Sequence, residues 1–250
     1  MGTLYLGTQS WSHKDWVGVF YPAGTAPADY ISEYARHFNT VEIDSTFYGI
    51  PRETTVMAWR ERTPEGFVFA AKFPQVITHE KMLNDTQMET QVFLATMRLL
   101  GEKLGPLLLQ FSYEFGPDKM GLLDTYLAEM PPGFQIAVEV RNRRWLTPDF
   151  SAMLRGYGVA LALQDLHYMP RRAETTAPFV YIRWLGERKR INRFDHIQID
   201  RSAEQAWWAQ QVRGMLDRGL TVYGYFNNHW AGHAPASVRQ FQALLNQPTP

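Results

Sequence analysis

The sequence predicts an α/β fold, a single-domain (β/α)8 TIM barrel in which eight parallel strands close into a cylinder inside a ring of helices. Three observations carry this. Eight short segments rich in Val, Ile, Leu and aromatic residues recur along the 250 residues. Helical stretches separate almost all of them, the pattern of a parallel sheet with crossover helices. Polar residues gather at the carboxyl end of nearly every segment, while the early part of each is apolar. A doubly wound open sheet is the competing class, but no Gly-x-Gly-x-x-Gly follows the first strand. No repeat, low-complexity tract or linker interrupts the chain, so one domain over 1–250 is expected.

Leu4–Trp11 reads as the first strand and Ser12–Thr25 as a long aromatic loop. Pro27 suits the first turn of a helix, and Tyr30, Ile31, Tyr34, Ala35 and Phe38 give it one apolar face. Val41–Pro51 begins as the second strand. Val41 and Ile43 point one way, Glu42 and Asp44 the other. A short helix over Thr54–Arg62 leads to the third strand, Phe67–Phe73. The longest helix, Thr86–Leu104, precedes the fourth strand, Pro106–Phe111, an apolar run of the kind buried on both faces. Asp118–Met130 is a helix stopped by Pro131-Pro132-Gly133, and Gln135–Arg141 is the fifth strand. Thr147 is the expected N-cap of the next helix, which ends near Gly156. Val159–Asp165 is the sixth strand and Phe179–Trp184 the seventh. Between them Leu166–Pro178 holds few helix signals. A helix over Ser202–Arg218, the eighth strand Thr221–Asn227 and a last helix over Pro235–Leu245 complete the chain.

Twenty-five basic residues balance twenty-five acidic ones, so no net charge pulls the protein toward nucleic acid or an anionic membrane. There is no cysteine, which excludes disulfides, thiolate metal sites and a Cys nucleophile. No signal peptide, myristoylation motif or apolar run of membrane-spanning length is present. A cytoplasmic location is the expectation.

In a barrel of this type the site lies where strands end. The candidate ligand-binding residues at those ends are Gln9, Trp11, Tyr48, Gln110, Arg141, Trp145, Asp165, Arg183, Asn227 and Asn228. The candidate catalytic residues are Glu42, Asp44, Lys72 and Glu139. Period 2 sharpens the set. Glu42 with Asp44, and Glu139 with Arg141, share strand faces, so Val41, Ile43, Val138 and Val140 face the helices. Carboxylates in a lumen are costly unless paired, and Lys72, Arg141 and Arg183 supply cations. One reading is a structural ion-pair plug. The other is a polar site for a small anionic or hydroxyl-rich ligand, favoured because the charges sit at one end only. Arg141 and Arg183 are bidentate forks suited to carboxylate or phosphate. Lys72 can join them, or act as acid or base if burial lowers its pKa.

Glu42, Asp44, Glu139 and Asp165 are hard oxygen ligands that Mg²⁺ or Mn²⁺ would accept, but the interleaved cations neutralise them. The usual His-Glu-x-x-His spacing is absent, so neither metal nor cofactor is expected. The basic run Gly186–Arg190 reads as a solvated loop or as a rim that steers phosphates. Aromatics at strand ends, among them Trp11, Trp16, Phe47, Tyr48, Trp145 and Trp184, either stack on a ligand or cap the barrel.

Several of these residues also carry a resemblance. Gly7-Thr8, Trp11, Lys14-Asp15-Trp16, Val41–Tyr48 with Pro51, Phe69 with Lys72, Gln110-Phe111, Glu139-Val140-Arg141 with Trp145, Tyr181-Ile182-Arg183, Phe226-Asn227-Asn228 and Gly232-His233-Ala234 follow in order. Over essentially its whole length the chain resembles the YecE-like family, domain of unknown function seventy-two. The resemblance implies a TIM-type barrel and no settled activity. Its fold-level analogies are with sugar-isomerase barrels and with endonuclease barrels that process abasic DNA. The chain departs from the family pattern at Asp44, often Asn, at Gln9-Ser10, often containing Gly, and at Leu185, often His.

The expected function is therefore an enzyme acting on a small anionic or polyhydroxylated compound at the barrel mouth, with acid–base chemistry by lumen carboxylates. Nucleic-acid binding or processing is the second, less favoured partner class. A non-catalytic ligand-binding barrel is the third.

Overall fold

The computed structural model describes residues 2–187 and 190–246. The strands are β1 (Leu4–Gln9), β2 (Thr40–Ile43), β3 (Val68–Lys72), β4 (Leu104–Gln110), β5 (Ile136–Glu139), β6 (Ala160–Leu161), β7 (Leu163–Asp165), β8 (Phe179–Trp184) and β9 (Thr221–Phe226). All pair in parallel, in the order β6-β5-β4-β3-β2-β1-β9-β8-β7. The α-helices are α1 (Tyr30–Tyr34), α2 (Glu53–Glu61), α3 (Gln87–Arg98), α4 (Met120–Ala128), α5 (Pro148–Tyr157), α6 (Ser202–Asp217), α7 (Asn228–Ala231) and α8 (Ala234–Leu245).

The expected count of eight strands is corrected to nine. The predicted sixth strand is broken at Ala162, so that β6 pairs with β5 and β7 pairs with β8. The physical reason is the shortness of β5. Beyond Glu139 the chain turns into a 3-10 segment at Arg143–Trp145, leaving β7 no ladder partner on that side. Ala162 N–H still donates to the Val138 carbonyl at 2.9 Å, and the Gln164 side-chain amide donates to Val140 O at 2.8 Å. The (β/α)8 plan therefore stands, with its sixth stave split at a one-residue joint.

Other elements depart from expectation at their ends. β2 stops at Ile43 because Thr46 Oγ1 caps Ile43 O at 3.1 Å and donates to Lys72 O at 2.7 Å, folding the chain back over β3. The longest expected helix ends at Arg98, and β4 starts at Leu104, before the expected Pro106. Pro106 fits inside β4 because the ladder skips there: Phe69 pairs with Leu104 and Ala71 with Leu107. The extra β4 residue is a bulge, where a missing N–H costs no ladder bond. Thr147 caps α5 as expected, accepting from Phe150 N–H at 3.3 Å. Residues 166–178 form no helix; Thr176 pins them instead, donating to Val159 O and accepting from Leu161 N–H, both at 2.7 Å. No described helix is long and apolar enough to cross a membrane.

Strand alternation produces two cores. Val41, Ile43, Val138 and Val140 face outward into the layer between barrel and helices, as their spacing requires. The inward set includes Val68, Ala70, Leu108, Ala137, Tyr181 and Tyr225, which fill the lower lumen. Five tryptophans, Trp16, Trp145, Trp184, Trp208 and Trp230, are fully buried. On area alone each contributes roughly 4–6 kcal/mol, an upper bound. The backbones approach closely where β1 meets β2. A Cβ on Gly7 would lie 2.0 Å from the Thr40 carbonyl oxygen, a backbone atom that cannot swing aside. Gly7→Ala is accordingly expected to cost about 3 kcal/mol or more. A chemical-denaturation midpoint equal to wild type would refute this.

Candidate functional site

The alternation that sends Val41 and Ile43 outward sends Glu42 into the lumen, and it does the same for Glu139 on β5 and Arg183 on β8. All three are buried; both carboxylates have no solvent exposure. Arg183 bridges them. Its Nε and Nη2 donate to Glu42 Oε2 and Oε1 at 2.9 and 2.8 Å, and its Nη1 donates to Glu139 Oε2 at 2.8 Å. Tyr181, two residues earlier on the same face, donates its hydroxyl to Glu42 Oε2 at 2.6 Å. Arg141 Nη2 lies 2.5 Å from Glu139 Oε1, an ion-pair contact whose angle falls short of a hydrogen bond. Burial alone would raise the Glu139 carboxyl; Arg141 and Arg183 more than offset it and hold it down at about 2. Burial opposes the Arg183 charge, and Glu139 and Glu42 overcome this, driving its pKa further up.

Above this floor opens a cavity of about 680 Å³ at the carboxyl ends of the strands. Gln9, Asp44, Lys72, Gln110, Arg183 and Asn227 line its base, and Phe47, Tyr48, His79, Arg141, Leu166, His167, Tyr168, Leu185, Gly186, Glu187 and His229 line its walls. Lys72 continues the inward row of Val68 and Ala70. Its Nζ sits 3.5 Å from the centroid of the Phe47 ring, and His79 meets the other side of Phe47 edge-on at 4.8 Å. No carboxylate lies within 4.0 Å of Lys72 among the described residues. Burial first, then the nearby Arg183, bring its ammonium down to about 7, against the pull of Glu139 and Glu42. Burial raises the Asp44 carboxyl, with hydrogen bonds from its own backbone and Ser10 opposing. The His79 imidazole is lowered to about 4 by burial and then by Lys72 and Arg141, so it is neutral at pH 7.

Two buried donors on residues that line this cavity lack a hydrogen-bond partner. Gln9 Oε1 accepts from Asn227 Nδ2 at 2.8 Å, leaving the buried Gln9 Nε2 unpaired; Arg141 Nε is likewise unpaired, while Arg141 Nη1 donates to Tyr168 OH at 3.3 Å. Such groups are costly to leave unmet. The backbone is strained on the same side. Ser10 has φ 62°, and Met82, Leu83 and Asp85 have φ 47°, 72° and 47°. These positions follow β1 and β3 on the mouth side. Gly186, at φ +68°, lets the loop after β8 touch α7: a Cβ there would lie 2.1 Å from His229 O.

Of the sequence-predicted residues, Gln9, Asp44, Tyr48, Lys72, Gln110, Arg141, Arg183 and Asn227 face the cavity, and Glu42 and Glu139 lie beneath it. Four stand elsewhere. Trp11 packs edge-on against Trp59 and Phe69. Trp145 is buried and donates to Phe115 O at 2.6 Å. Asp165 accepts from Trp208 Nε1 at 2.7 Å and pairs with Arg171. Asn228 Oδ1 accepts from Ala234 N–H and Trp16 Nε1. Trp145 and Asn228 tie loops and helix ends, while Trp11 packs on α2 and β3 and Asp165 on α6; each position is one residue off the inward row or already past the strand. His79, Leu166, His167 and Tyr168 come from loops after β3 and β7 and are invisible to strand alternation; their one signal is a place on the βα side. In the basic run after β8, Arg188 and Lys189 lie outside the described residues. Among the described residues, no group of three or more His, Asp or Glu side chains is placed to hold a metal ion.

The floor makes a stability prediction. Arg183→Met leaves the buried Glu42 without a cation and Glu139 with Arg141 alone, and is expected to cost about 3–5 kcal/mol, read as a fall in unfolding free energy. Glu139 carries a lowered folded pKa, so its contribution is full above the unfolded carboxylate range and is lost as pH falls toward about 2. Glu139→Gln should flatten the acid limb of the stability curve, and an unchanged limb would contradict the pairing.

Comparison with known proteins places this arrangement in a family. The chain is 36% identical over 139 residues to the UPF0759 protein YecE of Escherichia coli K12, covering 56% of this chain and 48% of that protein. The chain thus spans about half the length of this curated relative. It is 25% identical to the UPF0759 protein YunF of Bacillus subtilis 168, across 97% of this chain and 95% of that one. In structure it superposes on a DUF72 family protein from Thermotoga maritima MSB8 with a TM-score of 0.84 at 26% identity, over 98% of this chain and all of the other. The family model described as "Protein of unknown function DUF72" matches residues 5–250, and the chain belongs to that family.

Proposed function

We propose that the mouth of the barrel binds a small anionic, hydroxyl- or carbonyl-bearing compound and moves a proton on it. The observation that carries this reading is the pairing of Lys72 with Asp44 over a neutralised floor. Glu42, Glu139, Arg183 and Arg141 balance one another. Lys72 and Asp44 remain, both facing one cavity and neither in an ion pair among the described residues. Burial raises one and lowers the other, which narrows the gap between them and leaves the Lys72 ammonium at about 7. A group poised near the working pH is what general acid–base catalysis requires. Arg141, 18% exposed at its side chain, brings a guanidinium to the cavity wall for a carboxylate or phosphate, and Gln9 an amide for a hydroxyl or carbonyl oxygen. Arg183, with its fork engaged by two carboxylates, acts on the ligand through the floor's potential.

Sulfate, which does not titrate in this range, tests the anion site. Isothermal titration should show Arg141→Met weakening sulfate binding about tenfold or more, the worth of one charge-assisted hydrogen bond. Equal affinity in the variant would remove Arg141 from the site. The affinity should also fall as pH rises from about 6 to about 8, because Lys72 gives up its positive charge near 7. Lys72→Met should bind more weakly and lose this slope. A slope that survives the substitution would assign the titration to another group.

A further inference from the structure

Lys72 has the setting of a nucleophile. A lysine that only holds an anion is best served by a permanent charge, kept by water or a carboxylate. Lys72 has no carboxylate within 4.0 Å among the described residues, it is 8% exposed, its Nζ lies against the Phe47 ring, and burial with Arg183 outweighs the pull of Glu139 and Glu42 on its charge. Desolvation beside other cations is one of the arrangements that keeps an amine unprotonated and reactive. The amine opens into a cavity that also holds Asp44, a carboxyl that burial inclines to keep its proton.

From this geometry we infer that Lys72 forms a covalent imine with a small aldehyde or ketone whose carboxylate or phosphate is held by Arg141. This rests on the site reading above and adds the substrate class and the covalent step. The Lys72 nitrogen lone pair adds to the carbonyl carbon while the C=O π pair moves to oxygen. A proton passes from nitrogen to that oxygen, giving a carbinolamine. The protonated Asp44 carboxyl then donates to the hydroxyl, which leaves as water as the nitrogen lone pair closes the C=N bond. The products are an iminium on Lys72, a carboxylate on Asp44 and one water, with charge conserved and no oxidant required. The iminium is the electron sink that lets a neighbouring C–H or C–C bond break.

Borohydride trapping tests it. The wild-type protein is incubated with sodium borohydride and either pyruvate or dihydroxyacetone phosphate, and the product is mapped by peptide mass spectrometry. One secondary-amine adduct per chain on Lys72 is expected, forming faster as pH rises through about 7. Which probe labels identifies the anionic group. Lys72→Met and Lys72→Arg should both abolish that adduct; the second keeps the charge, so one variant that fails to fold does not decide the matter. No adduct on Lys72 with either probe, while sulfate binding through Arg141 persists, overturns the imine and leaves the anion site. Loss of sulfate binding as well overturns both. Labelling of surface lysines at the same rate as Lys72 also overturns it.

Discussion

The guanidinium of Arg183 is what the rest of this barrel depends on. It reaches from β8 across the lumen to Glu42 on β2 and Glu139 on β5, joining three staves that do not adjoin. Without it, Glu42 would be a buried carboxylate with no cation, at a cost of several kcal/mol, and Glu139 would keep Arg141 alone. With it, they set a fixed potential under the cavity. The same pairing explains what lies above. The cation that satisfies the acids is Arg183 together with Arg141, so Lys72 is surplus to the pairing and takes its pKa from burial. The lumen charges therefore differ with depth: paired at the floor, outside any ion pair among the described residues at Lys72 and Asp44 above it.

Much of this could be read in the sequence. Period 2 in Val41–Asp44 and Glu139–Arg141 assigned inward and outward faces that agree with the two cores, because a buried parallel strand leaves no freedom in its alternation. Helix starts with a local signal, such as Thr147 before Pro148, were equally legible. The stretches that escaped are those governed by contacts distant in sequence. The end of β2 depends on Thr46 reaching the Lys72 carbonyl, and the break at Ala162 depends on where β5 stops. Neither cause lies inside the segment it affects.

The candidate site divides along the same line. Residues on the inward row of a strand, such as Lys72 and Gln110, were found by taking the polar residue at the strand's carboxyl end. Trp145 and Asp165 fail that rule because their partners, Phe115 O and Trp208 Nε1, belong to the outer layer. The walls come from loops, where no period operates, so His79 and Tyr168 required three dimensions. The strained residues Met82, Leu83 and Asp85 in one of these loops show that its path is imposed by the fold rather than by local preference.

The split stave has a mechanical consequence. A closed ladder resists widening because every gap between staves is laced by backbone bonds. Among the described residues the lacing between β5 and β7 near the mouth is by side chains, from Gln164 to Val140 and from Arg141 to Tyr168. The barrel is in that sense a ring with a clasp. The residues carried just beyond the clasp, Leu166 to Tyr168, form one wall of the cavity and touch Arg141. Two side-chain bonds hold the mouth there, while Arg183 clamps the charged floor below from three staves.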